Sequence, residues 1–153
     1  MIRSCFLLFF ILFATFDTIA CDTTKIIAHR GVSSLAPENT IPAFEIGIQL
    51  NVDYIELDVQ KSSDDSLMVI HDATVNGTTE SSGLVSSYTY TELKQMDAGS
   101  WFSDEYIGTE IPTLHEVLQL VQGKAKLCVE LKASNIEEQA MTATRQNAIT
   151  NGL

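Results

Sequence analysis

Asp53-Tyr54-Ile55-Glu56-Leu57-Asp58-Val59 alternates strictly, with Ile55, Leu57 and Val59 on one side and Tyr54, Glu56 and Asp58 on the other. That period of two predicts a half-buried β-strand. Upstream, residues 25–28 (KIIA) form a short β-prone run. Residues 40–50 then place Ile41, Phe44 and Ile48 on one helical face, with Pro42 in the first turn, where a missing N–H is tolerated. Downstream, residues 67–70 predict another strand, residues 73–87 a Thr/Ser/Gly-rich loop, and Thr89…Glu92 a capping box that opens a short helix.

Thr113…Glu116 is a second capping box. Behind it Leu114, Val117, Leu118 and Val121 make the apolar stripe of a helix over residues 113–122, ended by Gly123. Residues 126–131 alternate again, with Leu127, Val129 and Leu131 opposite Cys128 and Glu130, and Asn135…Glu138 predicts the start of a last helix running toward Gly152. Strands alternating with helices predict a parallel sheet wrapped by helices, either doubly wound or a barrel. No strand is followed by G-x-G-x-x-G or G-x-x-x-x-G-K-[ST], so nucleotide-dependent chemistry has no support.

Length and composition, 153 residues with 45% apolar and 19% charged, set one globular domain as the ceiling. Arg3 precedes an apolar run over residues 5–16, Asp17 ends it and Ala20 follows, the layout of a secretory signal peptide over residues 1–20. The run is short of the roughly 20 residues of a membrane span, so no stable membrane span is expected. The remaining domain, residues 21–153, is then exported, either secreted or periplasmic. If the host is bacterial, Cys21 at the cleavage point offers a lipid anchor. Removing the leader takes one of the 9 basic and one of the 20 acidic residues and leaves the formal charge at −11. Such a chain is repelled by nucleic acid unless its carboxylates gather around a cation. Two cysteines outside the leader cannot build a dense disulfide framework, and Cys128 among Leu127, Val129 and Leu131 reads as a buried, inert thiol.

Polar residues recur at the C-terminal ends of the predicted strands: His29-Arg30, then Glu56 and Asp58, then His71-Asp72, then Glu130 and Lys132. In a (β/α) barrel those ends form one mouth, and side chains two apart share a face, so these groups converge. Three converging carboxylates need compensation, which a hard divalent cation, Ca²⁺ or Mg²⁺, supplies through oxygen ligands. Two histidines beside it suit paired acid and base work, and Arg30 and Lys132 offer permanent positive charge to an anionic substrate. A phosphate ester meets these demands. The competing reading makes the same residues exposed strand ends in ordinary ion pairs. It explains one such pair well and four strands at once poorly.

His29-Arg30-Gly31-Val32-Ser33-Ser34-Leu35-Ala36-Pro37-Glu38-Asn39-Thr40, with Ala43-Phe44 after it, resembles the opening signature of the glycerophosphodiester phosphodiesterase family. Glu56-x-Asp58, His71-Asp72, Asp97-Ala98-Gly99-Ser100-Trp101-Phe102, Ile111-Pro112-Thr113-Leu114 and Glu130-x-Lys132 are similar to its later blocks. The resemblance implies a TIM (β/α)8-barrel that hydrolyses glycerophosphodiesters to glycerol 3-phosphate and an alcohol with a divalent cation. It implies Glu56, Asp58 and Glu130 as metal ligands, His29 and His71 as the acid/base pair, and Arg30 and Lys132 as the phosphate holders. Glu38 and Asn39 would brace the site. It further implies that the substrate's own glycerol hydroxyl attacks first, giving a cyclic phosphate that water opens.

Other polar residues carry blander expectations. His115, in the first turn of a capped helix, is expected on the surface; Trp101-Phe102 suits a pocket wall or a packing anchor equally. Gly77 stands where the family usually has arginine, leaving Asn76-Gly77-Thr78 as a sequon or an Asn-Gly turn. Length is the larger departure, since a full barrel takes roughly 200 to 250 residues and this chain supplies about four βα units. A homodimer through open barrel edges is one way to cover them. Three readings follow: a metal-dependent phosphodiesterase, a catalytically silent relative that binds phosphodiester or cation, and a phospholipase D-type enzyme on lysolipids.

Overall fold

A computed structural model of the chain describes residues 24–150; the expected leader and Cys21 lie outside them. The elements run β1 (Ile27–Ala28), α1 (Ile41–Gln49), β2 (Tyr54–Lys61), β3 (Leu67–Val69), α2 (Tyr90–Leu93), α3 (Leu114–Val121), β4 (Lys126–Leu131) and α4 (Glu137–Thr150). Single 3₁₀ turns lie at Val85–Ser87 and Asp104–Tyr106.

Strand β2 is the spine. It pairs in parallel with β1 (Ala28 opposite Ile55) and with β4 (Tyr54 to Val59 opposite Lys126 to Leu131), and antiparallel with β3 (Val59 opposite Val69). Because β4 occupies one edge of β2 throughout residues 54–59, β1 and β3 share the other edge, one above the other. This corrects the count of four parallel units to three, β1-α1, β2-(β3)-α3 and β4-α4. The third expected strand is a hairpin that turns back at residues 62–66, where the Ser62 hydroxyl accepts from Ser66 N at 2.8 Å.

Ile55, Leu57 and Val59 point into one cluster with Phe44 of α1, Leu114, Val117, Leu118 and Val121 of α3, and Ile136 and Ala140 at the start of α4. Helices α1, α3 and α4 therefore lie on one face of the sheet, the barrel arrangement rather than the doubly wound one. Both expected capping boxes form: Glu92 N and Glu116 N donate to the hydroxyls of Thr89 and Thr113, and the glutamates reach back to the cap amides. Thr40 differs. It precedes α1 without a side-chain cap and donates instead to Pro37 O at 2.6 Å. Helix α4 begins at Glu137, two residues beyond Asn135, whose φ of 60° turns the chain into it.

Strand β2 is not half-buried, since residues 55–60 are buried on both faces. On the Glu56, Asp58 and Gln60 face the contacts come from Arg30 and Asn39 of the loop after β1 and from the His71 carbonyl after β3. The excursion between β3 and α3 joins Met68 of β3 in a second core of Met68, Ile70, Val75, Val85, Leu93, Met96, Ala98 and Ile111, which gives the long loop packing of its own. Cys128 is also corrected: it is exposed. Its side of β4 is shared with Glu130 and faces away from the helices, so no apolar layer covers it. No helix among the described residues is long and apolar enough to cross a membrane.

Candidate active site

The chain leaves β1 through Arg30 and Gly31, both left-handed (φ 55° and 76°). At residue 31 a β-carbon would lie 2.7 Å from Ala43 Cβ and 2.8 Å from its carbonyl carbon, so only glycine fits. The bend lets Arg30 N donate to Glu56 Oε2 at 2.7 Å while its guanidinium turns back, Nη1 donating to both Glu38 oxygens at 3.0 and 3.1 Å. Asn39, also left-handed at φ 57°, donates through Nδ2 to Asp58 Oδ2 at 2.9 Å and accepts from Asp58 N at 3.2 Å. Sparse backbone conformations in one loop, held by several bonds, are characteristic of a functional site.

On the sheet, Glu56 and Asp58 point to the side away from the helices, and Asp58 lies directly opposite Glu130 of β4 in the register. Glu56, Asp58 and Glu130 each bring a carboxylate oxygen within 4.8 Å of the others. Asp58 is 1% exposed. Lys132 Nζ donates to Glu130 Oε1 at 2.9 Å and stands 3.5 Å from Asp58 Oδ1, and Arg30 Nε stands 3.6 Å from Asp58 Oδ2. The hydrogen bond from Lys132, then its charge, hold the Glu130 carboxyl below the usual carboxylate range, with smaller contributions from His71 and Arg30. Glu130 in turn raises Lys132.

Among the described residues, two buried side-chain atoms have no hydrogen-bond partner, Arg30 Nε and Asp58 Oδ1. A carboxylate oxygen is a strong acceptor, and leaving it buried without a donor is costly. Asp58 Oδ1 beside two more carboxylates is the donor set and geometry that a hard cation takes, oxygen only and with no thiolate. The residues present therefore fit a divalent ion.

His29 Nε2 stands 4.0 Å from Glu56 Oε2. His71 Nδ1 lies 2.8 Å from Asp72 Oδ1, and its backbone oxygen accepts from Gln60 Nε2 at 3.1 Å. Gln60 is the third residue in the Glu56, Asp58 alternation, the signal by which the sequence could have flagged it. His115 is exposed and bonds through its ring to Gln119, 3.0 Å away. Trp101 is 45% exposed, its Nε1 donates to Ala98 O, and it stacks edge-on against Phe102. A groove of about 830 Å³ between Ser66, Tyr90, Thr113 and Gln139 takes in His115 but none of Glu56, Asp58, Glu130, His29, His71, Arg30 or Lys132.

Residues 29–150 match the model of the glycerophosphoryl diester phosphodiesterase family. The chain belongs to that family. A glycerophosphodiester phosphodiesterase of Caldanaerobacter subterraneus subsp. tengcongensis is 44% identical over 129 residues, covering 80% of this chain and 53% of that protein. Among solved structures, the glycerophosphodiester phosphodiesterase of Agrobacterium tumefaciens superposes with a TM-score of 0.79 at 38% identity, over 84% of this chain and 55% of that one. An Oleispira antarctica phosphodiesterase in complex with the product sn-glycerol-3-phosphate superposes at 0.74 and 36% identity, over 82% and 52%. The chain thus spans about half the length of the relatives it matches. Its three βα units are part of the family's TIM barrel.

Proposed function

We propose that this chain carries the metal-holding and proton-transferring part of a glycerophosphodiester phosphodiesterase, releasing glycerol 3-phosphate and an alcohol. The observation that carries the reading is the buried Asp58 Oδ1, without a hydrogen bond and with only the 3.5 Å ion pair to Lys132, grouped with the carboxylates of Glu56 and Glu130. Glu56, Asp58 and Glu130 would hold Mg²⁺ or Ca²⁺. When bound, such an ion offsets the three negative charges and polarises a phosphoryl oxygen.

The chain's own groups do the rest. Arg30 and Lys132 hold the phosphate, the substrate class to which their fixed charge is suited. Glu38 and Asn39 brace Arg30 and Asp58. One of His29 and His71 takes the proton from the attacking glycerol hydroxyl while the other protonates the departing alcohol oxygen. Water then opens the resulting cyclic phosphate with the two roles exchanged. Residues 1–20 would export the domain, and Cys21 would be its lipid anchor in a bacterial host.

The exposed side chain of Glu130, 57% accessible, and the free edge of β4 favour a second reading, a silent binder of cation or phosphodiester. A homodimer through the open barrel edges would cover both. The test is glycerol 3-phosphate release from glycerophosphocholine by the purified chain, with Mg²⁺ or Ca²⁺ and with chelator, alongside the mass in solution. Chelator-sensitive release from a dimer supports the enzyme; a folded sample that binds metal without release supports the silent binder.

A further inference from the structure

The contact between His71 and Asp72 assigns a role that the catalytic residues do not cover. An ionised carboxylate can only accept hydrogen bonds, and Asp72 Oδ1 lies 2.8 Å from Nδ1 of His71. In the neutral ring the proton must then sit on Nδ1, leaving the lone pair on Nε2. We propose that Asp72 is a positioning residue: it holds His71 in the Nδ1–H form, so that Nε2 is the atom that exchanges the proton with substrate. This rests on the reading that His71 is one of the acid/base pair.

Two features of the fold support it. Gln60, 8% exposed on β2, donates from Nε2 to the His71 carbonyl at 3.1 Å, so the backbone carrying the ring is tied to the strand that carries Glu56 and Asp58. The hairpin itself adds Ile70 N donating to Asp58 O at 3.0 Å. Asp72 is exposed, so its effect is one of geometry and tautomer rather than of strong charge attraction.

The experiment is ¹⁵N NMR of histidine-labelled chain, at a pH where His71 is neutral. The expected result is protonated Nδ1 and unprotonated Nε2 in the wild type, reverting toward protonated Nε2 in Asp72→Ala with the His29 signals unmoved. A wild-type ring protonated on Nε2, or an unchanged tautomer in Asp72→Ala, overturns the inference. Because Asp72 is a surface residue, Asp72→Ala should stay folded, and Asp72→Glu, which can restore the acceptor, should recover the wild-type tautomer. In kinetics on glycerophosphocholine, Asp72→Ala should lower kcat about 10-fold to 100-fold with KM changed by less than about twofold. A raised KM at unchanged kcat also overturns it. If the wild-type chain shows no turnover, the functional reading fails, and the tautomer measurement alone decides the role of Asp72.

Discussion

His29 and His71 reach the same stretch of β2 from opposite directions along one sheet edge. His29 follows β1, whose Ala28 is opposite Ile55, and His71 follows β3, which runs down from Lys61 until Ile70 N bonds Asp58 O. Both imidazoles therefore come level with Glu56 and Asp58. His29→Ala and His71→Ala are each expected to abolish glycerol 3-phosphate release while leaving the circular dichroism spectrum and melting midpoint close to wild type, because neither ring belongs to a core cluster. Full activity in either variant removes that histidine from the mechanism.

Divalent cations should stabilise the fold. A ligand at a hundredfold excess over its Kd adds about 2.7 kcal/mol, a rise of several degrees in Tm for a domain of this size. Mg²⁺ or Ca²⁺ is expected to produce that rise, chelator to reverse it, and Glu130→Gln to weaken it by removing one of three charged ligands. Thermal melts with and without metal measure it; identical curves for wild type and Glu130→Gln would count against the triad as a site.

Asn39 is expected to matter for stability as much as for chemistry. It exchanges two hydrogen bonds with the buried Asp58, and truncation leaves a buried amide and a buried carboxylate oxygen with less than they need. Asn39→Ala should cost about 1–3 kcal/mol, read as a lowered urea midpoint with an unchanged m-value.

Acid should weaken the domain in part through Asp97. The backbone amides of Gly108, Gly99 and Ser100 donate to its carboxylate at 2.9, 2.8 and 2.9 Å and hold its pKa below the ordinary aspartate value. A carboxyl depressed in the folded state contributes stability above its unfolded pKa and loses it as pH falls through the folded one. The contribution is thus complete above about pH 4 and fades below it. Asp97→Asn should flatten the fall in denaturant midpoint between neutral pH and about pH 2.5; an unchanged slope would show that the three amide bonds favour neither protonation state.

Local pattern was enough to place β2, α3 and β4, because each is decided by neighbours in sequence. Alternation put Glu56 and Asp58 on one face, and Thr113…Glu116 marked where α3 begins through bonds spanning three residues. What pattern could not decide was strand direction. Residues 67–70 read equally well as a parallel strand, and His71 would then have arrived at the mouth from below. It arrives from above, because the five residues of turn, 62–66, are too few for a parallel crossover and enough for a hairpin. Burial was missed for a similar reason. Whether Glu56 and Asp58 are covered depends on Arg30 and Asn39 of the loop after β1 and on Lys132 closing over them, and whether Cys128 is covered depends on what lies beside β4.

The sequence alone therefore determined which residue types would gather, three carboxylates, two histidines, an arginine and a lysine, and that they belong to a βα repeat, since these follow from short-range periodicity and from a motif. Only the tertiary structure decided the pairings. Asp58 meets Glu130 across 72 residues of chain through the β2–β4 register, Asn39 and Arg30 close on Asp58 through left-handed bends, and Gln60 ties down the carbonyl of His71. Such contacts join residues far apart in the chain, and their geometry is set by hydrogen bonds and packing that no local pattern of residues encodes.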